Sequence, residues 1–170
     1  MMHSSEFTGL KQAQIDWLLK SGVTIEAMIR PEPIRLAHGR KAHDGIFEAD
    51  SGGSPWLAFD EGDDVVFWQP RTGDLATDCN RAFALGQDVI DNPATYSFDC
   101  NLNVFANPLD WLQAKRDGIV ILDWSRAWSR LQDCPRIAIA DELLFQFRRH
   151  FEPPHKPEIF VLTGRKAVAA

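Results

Sequence analysis

Two aspartates stand where an α/β protein would do chemistry. Asp123 closes the run Gly118-Ile-Val-Ile-Leu-Asp123, and Asp141 closes Arg136-Ile-Ala-Ile-Ala-Asp141. Each follows a short apolar segment that reads as a parallel strand, and open α/β sheets place their ligands beyond the carboxyl ends of such strands. If those strands are neighbours, the two carboxylates converge on a divalent cation or a metal-bound phosphate. The competing reading is that each Asp caps the helix that follows it, by accepting backbone N–H groups, which is the commoner use of Asp at that position.

A second group is cationic. Arg148, Arg149, Lys156, Arg165 and Lys166, with His150 and His155 among them, face only Glu152 and Glu158. A helix end, a Pro-Pro turn and a tail of this composition predict a basic edge able to touch nucleic acid. The alternative is that the arginines serve the helix C-terminus, where the macrodipole favours cations.

Other clusters carry less. The stretch from Asp44 to Asp64 holds seven carboxylates (Asp44, Glu48, Asp50, Asp60, Glu61, Asp63, Asp64) and no Lys or Arg. It lacks the alternating spacing of a calcium loop, so it reads as solvated hairpin turns and protected strand edges. His38 and His43 bracket Arg40 and Lys41 without an acid or Cys at ligand spacing, which argues against a metal and for an exposed basic hairpin end. Cys134 has no neighbouring His to activate it. No nucleophile elbow, P-loop, dinucleotide fingerprint or zinc-protease helix occurs.

The elements that must position these residues are legible in three blocks. In residues 1–33 the pattern predicts a helical hairpin. Thr8 is read as the cap of a first helix carrying Leu10, Ala13, Trp17 and Leu18, and Thr24 as the cap of a second, ended by Pro31 and Pro33. Residues 34–98 switch to short strands (34–37, 45–49, 56–59, 65–68 and 75–77) with Gly-, Asp- and Pro-rich turns between them. That is the signature of an antiparallel meander. Residues 79–98 carry no firm element. In residues 99–170 strands alternate with helices: Leu102 to Phe105, a helix capped by Asn107 with Pro108 behind it, Ile119 to Leu122, the Trp124/Trp128 helix, Arg136 to Ala140, the Leu144/Phe147/Phe151 helix, and Ile159 to Leu162. We read the strands at 119–122, 136–140 and 159–162 as a three-stranded parallel βαβαβ layer. The fold expected is α+β, in one domain spanning 1–170.

Composition narrows function. A chain of 170 residues that is 45% hydrophobic and 25% charged buries one proper core and is not disordered,. With a net charge of −6, the whole molecule is no generic polyanion binder,. Cys79, Cys100 and Cys134 form no framework, and no leader or membrane-length apolar run is seen, so a cytoplasmic protein without membrane contact is expected.

The stretch Asn107 to Asp141, with Arg81-Ala-Phe-Ala-Leu-Gly86, resembles a group of small uncharacterised proteins of alphaproteobacterial prophages and other mobile elements. The shared features are Pro-Leu-x-Trp-Leu, the Gly-Ile-Val-Ile-Leu strand and a strand ending in Ala-Asp. A fainter likeness is to part of the toprim domain of primases and topoisomerases. That fold holds magnesium with a Glu after one strand and an Asp-x-Asp after a later one. Here Asp123 stands for the Glu and only Asp141-Glu142 for the pair, so the likeness implies a degenerate copy. The expectation is a non-catalytic accessory protein of a mobile genetic element, without cofactor, working through protein or nucleic-acid contacts. The alternative is a magnesium-dependent enzyme of nucleic-acid metabolism using Asp123 and Asp141.

Overall fold

The computed structural model describes residues 7–151 and the backbone of two strands at 160–163 and 166–169. Helices α1 (Gln12–Lys20) and α2 (Ile25–Ile29) make the N-terminal hairpin. Thr24 caps α2, its hydroxyl accepting the Ala27 N–H at 3.3 Å,. Thr8 does not cap α1. With Gly9 it forms a short strand, β1 (Thr8–Gly9), antiparallel to β2 (Arg35–Lys41) through Thr8↔Leu36. The physical reason is that β2 has an edge to satisfy beside the core, and backbone pairing there outweighs a cap. Helix α1 starts at Gln12 with no side-chain cap.

Strands β2, β3 (Phe47–Ala49), β4 (Ser54–Asp60), β5 (Val65–Trp68) and β6 (Leu75–Thr77) form the expected antiparallel meander. A parallel bridge between Ile46 and Thr77 joins its two ends, so the sheet is rolled into a partly closed barrel. Two glycines permit the roll. A Cβ on Gly39 would lie 2.5 Å from the Phe47 ring, and one on Gly53 2.7 Å from the Gly39 backbone,. The sheet buries both faces. Leu36, Leu57, Phe59, Val66 and Trp68 pack under the helical hairpin. Ala37, Ala58 and Ala76 line the opposite face, leaving room for Phe47 and Phe67 to stack at 3.9 Å. Double burial explains why β4 and β5 read as continuous apolar runs.

The second half is a mixed layer of β7 (Ala84–Leu85), β8 (Leu102–Val104), β9 (Val120–Ile121) and β10 (Ile137–Ile139), with helices α3 (Pro108–Gln113), α4 (Ala127–Leu131) and α5 (Leu144–His150). Its parallel contacts centre on β8. Strand β10 pairs with it parallel, and Ile119 bridges Val104 parallel on the other side, donating to the Asn103 carbonyl at 2.8 Å. Strand β7 closes the far edge, antiparallel to β9. Strands 119–122 and 136–140 therefore flank β8 and do not pair with each other. The sequence marks β8 as a strand at 102–105 but not as the centre of the layer, because Asn103 interrupts its apolar run. In the fold its amide donates to the Asp117 carbonyl at 3.1 Å. Strand β11 (Phe160–Thr163) is paired antiparallel with β12 (Lys166–Ala169).

Helix α3 begins as read, with the Asn107 side chain accepting the Asp110 N–H at 3.0 Å and Pro108 in the first turn,. The fold class is α+β. Among the described residues no helix is long and apolar enough to cross a membrane.

Candidate functional site

The strongest carboxylate chemistry lies in the acidic turn, where the sequence suggests only solvated loops. Asp64 is 4% exposed and accepts five backbone N–H groups. Its Oδ1 receives Val65, Asp78 and Cys79 at 2.8 to 3.0 Å, and its Oδ2 receives Arg81 and Ala82 at 2.7 and 2.8 Å. Burial alone would raise its pKa, but the donated N–H bonds of Ala82, Val65, Cys79 and Arg81 outweigh it and hold the carboxyl below the usual range,. Glu61, 6% exposed, takes the N–H of Gly86 at 2.6 Å and of Gln87 at 3.2 Å. Here burial wins and pushes the carboxyl up to about 7, with Asp88 adding to the rise and Gly86, Gln87 and Arg116 opposing it.

Both groups are spent on the chain itself. Segment 78–82 lacks enough turn chemistry of its own, and Asp64 supplies the missing acceptors. Of the remaining acids, Asp44, Asp50 and Asp60 each accept the N–H two residues on, as turn residues do, and Glu48 on β3 accepts Arg40 Nε at 2.8 Å,.

Asp123 is a cap. Its Oδ1 takes the Ser125 N–H at 3.1 Å and hydroxyl at 2.5 Å, and its Oδ2 takes Arg126 Nε at 2.7 Å. Burial raises its pKa, and the Ser125 and Arg126 bonds more than reverse this. Arg126 in turn donates to the carbonyls of Arg81 and Ala82 at 3.0 to 3.2 Å, stapling the layer to the loop that Asp64 holds. Asp141 is exposed and opens a 3-10 turn over Asp141–Leu143 without capping it. Since β8 lies between the strands that the two aspartates follow, their backbones stand at least two strand spacings apart, more than about 10 Å,. Asp123 faces a polar cleft of about 380 Å³, shared with Lys41, Asp44, Thr77 and Asn80; Asp141 does not line it.

Among the described residues no three His, Cys, Asp or Glu side chains gather as metal ligands. His38 is half-buried in β2 and His43 is exposed in the following turn. Arg148 and Arg149 lie exposed in the last turn of α5, as the dipole favours,. Lys156 and Arg165 fall outside the described residues, and Lys166 is described in its backbone alone. Cys134 is half-buried, with burial raising its pKa away from a reactive thiolate,.

No family model, curated protein or solved structure matches this chain.

Two surface features escape the sequence. The first is a half-open groove of about 340 Å³ between α1 and the barrel, floored by Leu36 and Leu57 and walled by Trp17, Pro55 and Pro70. The second is a set of large apolar side chains in solvent. Ile25 and Ile29, one turn apart on α2, are 62% and 51% exposed, and Leu19 on α1 is also exposed,. Both features come from the hairpin. Its spacing marks Leu18 as buried, but α2 is too short for periodicity to assign a face.

Proposed function

We propose that the protein works by binding, through protein contacts made by its helical hairpin. The observation that carries this reading is the apolar face of α2: Ile25 and Ile29 remain exposed on a helix whose Ala27 and Met28 are buried. Exposed β-branched aliphatics at helical spacing are the usual anchors of a helix-mediated contact. Support also comes from the fate of the titratable groups. Glu61, Asp64 and Asp123, the carboxylates with shifted pKa, all hold backbone N–H groups or the side chains of their own turns. The resemblance noted for residues 107–141 favours an accessory role in a mobile genetic element. Protein contacts are preferred over nucleic acid because the net charge is −6,.

The test is site-specific photo-crosslinking in the native host, with benzoylphenylalanine at Ile25 or Ile29 and, as control, at Thr72 on a barrel turn. The expected result is one discrete crosslinked protein from the hairpin positions and none from Thr72. Equal, diffuse labelling from all three sites rejects the reading. Labelling of nucleic acid instead transfers the function to the basic edge.

A further inference from the structure

The polar cleft beside Asp123 opens where barrel and layer meet, and no residue of the helical hairpin lines it. Its volume, about 380 Å³, lies in the range of small-molecule sites, which favour such junctions,. Part of its wall is apolar, with Leu75 of β6 contributed by the barrel and Leu122 and Trp124 by the layer. The Trp124 ring is held edge-on against Phe147, at 6.5 Å between centroids and an angle of 89°, so its face is fixed in direction,.

Most of the polar lining is already satisfied. The Thr77 hydroxyl donates to Asn80 Oδ1 at 3.0 Å and accepts the Asn80 N–H at 2.9 Å. Asp123 carries Ser125 on one oxygen and Arg126 on the other, and Arg126 makes its remaining hydrogen bonds to the Arg81 and Ala82 carbonyls. Two opposite charges are not used in this way. Lys41, at the end of β2, and Asp44, in the turn that follows, both line the cleft and are exposed, and neither is ion-paired among the described residues. Asp44 is anchored through Oδ1, which accepts the Ile46 N–H at 3.0 Å, while its Oδ2 accepts nothing among the described residues.

We propose that this cleft binds a free α-amino acid with an apolar side chain, its carboxylate on Lys41, its ammonium on Asp44 and its side chain against Leu122 and Trp124. A ligand of one sign would satisfy one of the two charges and be repelled by the other, whereas a zwitterion satisfies both. The two residues stand three positions apart in a tight turn, closed by the Gly45 N–H on the Ala42 carbonyl at 3.1 Å, which suits opposite charges borne on a single carbon. The apolar wall adds the preference for an aliphatic or aromatic side chain over a polar one.

The experiment is an amide- and indole-shift titration of the isotopically labelled full chain with L-phenylalanine, L-leucine, glycine, phenylpropionate and phenethylamine. Phenylalanine or leucine is expected to shift the Trp124 indole N–H and the amides of Lys41, Gly45 and Asn80, and to saturate with a Kd of about 1 mM. Glycine, which lacks the side chain, and the two singly charged analogues should bind at least about fivefold more weakly. Asp44→Asn keeps the oxygen that accepts the Ile46 N–H, and Lys41→Met keeps the length of the stem, so both variants should retain the native spectrum. The first should lower phenylalanine to the affinity of phenylpropionate, and the second to that of phenethylamine. No shift from either apolar amino acid, a singly charged analogue or glycine that binds as tightly as they do, or binding indifferent to both substitutions overturns the proposal. The crosslinks from Ile25 and Ile29 report on a different surface, so the contact reading stands or falls apart from this one.

Discussion

Glu61→Gln isolates the cost of ionising a buried carboxylate. In the folded protein Glu61 titrates at about 7, against 4.5 for the free group, chiefly because it is buried. The folded state therefore holds a proton between pH 4.5 and 7 that the unfolded chain has already released. Fewer protons on the unfolded state means that stability falls as pH rises through this window. Below it both states are protonated and the group costs nothing. Above it the full cost is present: 7 − 4.5 is 2.5 units, or roughly 3 kcal/mol,. The steepest loss, near the middle of the window, is about 1.2 kcal/mol per pH unit.

Glutamine cannot ionise, so the variant lacks this slope. The assay is urea unfolding of both proteins at half-unit steps from pH 4.5 to 8, read as the difference between them so that every other group cancels. The variant should gain roughly 3 kcal/mol on the native protein across the range. A flat difference would falsify the burial argument. A difference of opposite sign would mean that the N–H groups of Gly86 and Gln87, with Arg116, favour the anion more than burial disfavours it.

Three further outcomes follow from particular contacts. Asp64→Asn turns an NH₂ group toward some of five N–H donors and should cost at least about 3 kcal/mol, measured by denaturant titration at pH 7. Because the Asp64 pKa is lowered on folding, its contribution is present above the unfolded value and fades as pH falls through the folded one,. Lys115 sits past the end of α3 at φ 56°, where Gly is the natural residue, so Lys115→Gly should stabilise by about 0.5–1 kcal/mol in the same assay,. Asp123→Asn keeps the cap oxygen but loses the anion facing Arg126, and should destabilise by at most about 1 kcal/mol, equally with and without magnesium or manganese,. A cation-dependent shift of the melting curve that the substitution removes would return the metal-enzyme reading.

Local chemistry was legible in the sequence and long-range chemistry was not. Thr24 and Asn107 cap helices as their spacing predicts, and Asp44, Asp50 and Asp60 make their turns, because each acts within three residues of itself. Thr8 misled for the same local reason: a cap-forming residue next to a helix pattern was claimed by strand β2, whose demand is not visible nearby. The centre of the α/β layer was missed because β8 carries Asn103 at the position where a buried strand ordinarily shows an aliphatic. The buried carboxylates were missed because most of their donors lie far along the chain. Asp64 reaches Asp78, Cys79, Arg81 and Ala82, and Glu61 reaches Gly86 and Gln87. In composition an acid that splints a distant loop looks the same as one that faces water.

The two acids act on one segment from opposite ends. Asp64 fixes 78–82, Glu61 fixes 86–87, and the residues between place Phe83 in the core of the layer and β7 beside β9. Arg126 holds the same segment from the other side through the carbonyls of Arg81 and Ala82. A single turn of the barrel, Glu61 to Asp64, thus adds a polar tie to the shared apolar core that joins barrel and layer, and its two carboxyls respond to pH in opposite senses. At neutral pH Asp64 is a settled anion while Glu61 is midway through titration. Raising the pH therefore weakens the attachment at its Gly86 end without touching the barrel cores. Amide exchange at Gly86, Gln87 and β7 should accelerate between pH 6 and 8 beyond the intrinsic rate, while Ala58 and Phe67 in the barrel keep their protection. Uniform acceleration across both parts would show that barrel and layer unfold as one unit, and that the turn is not the joint.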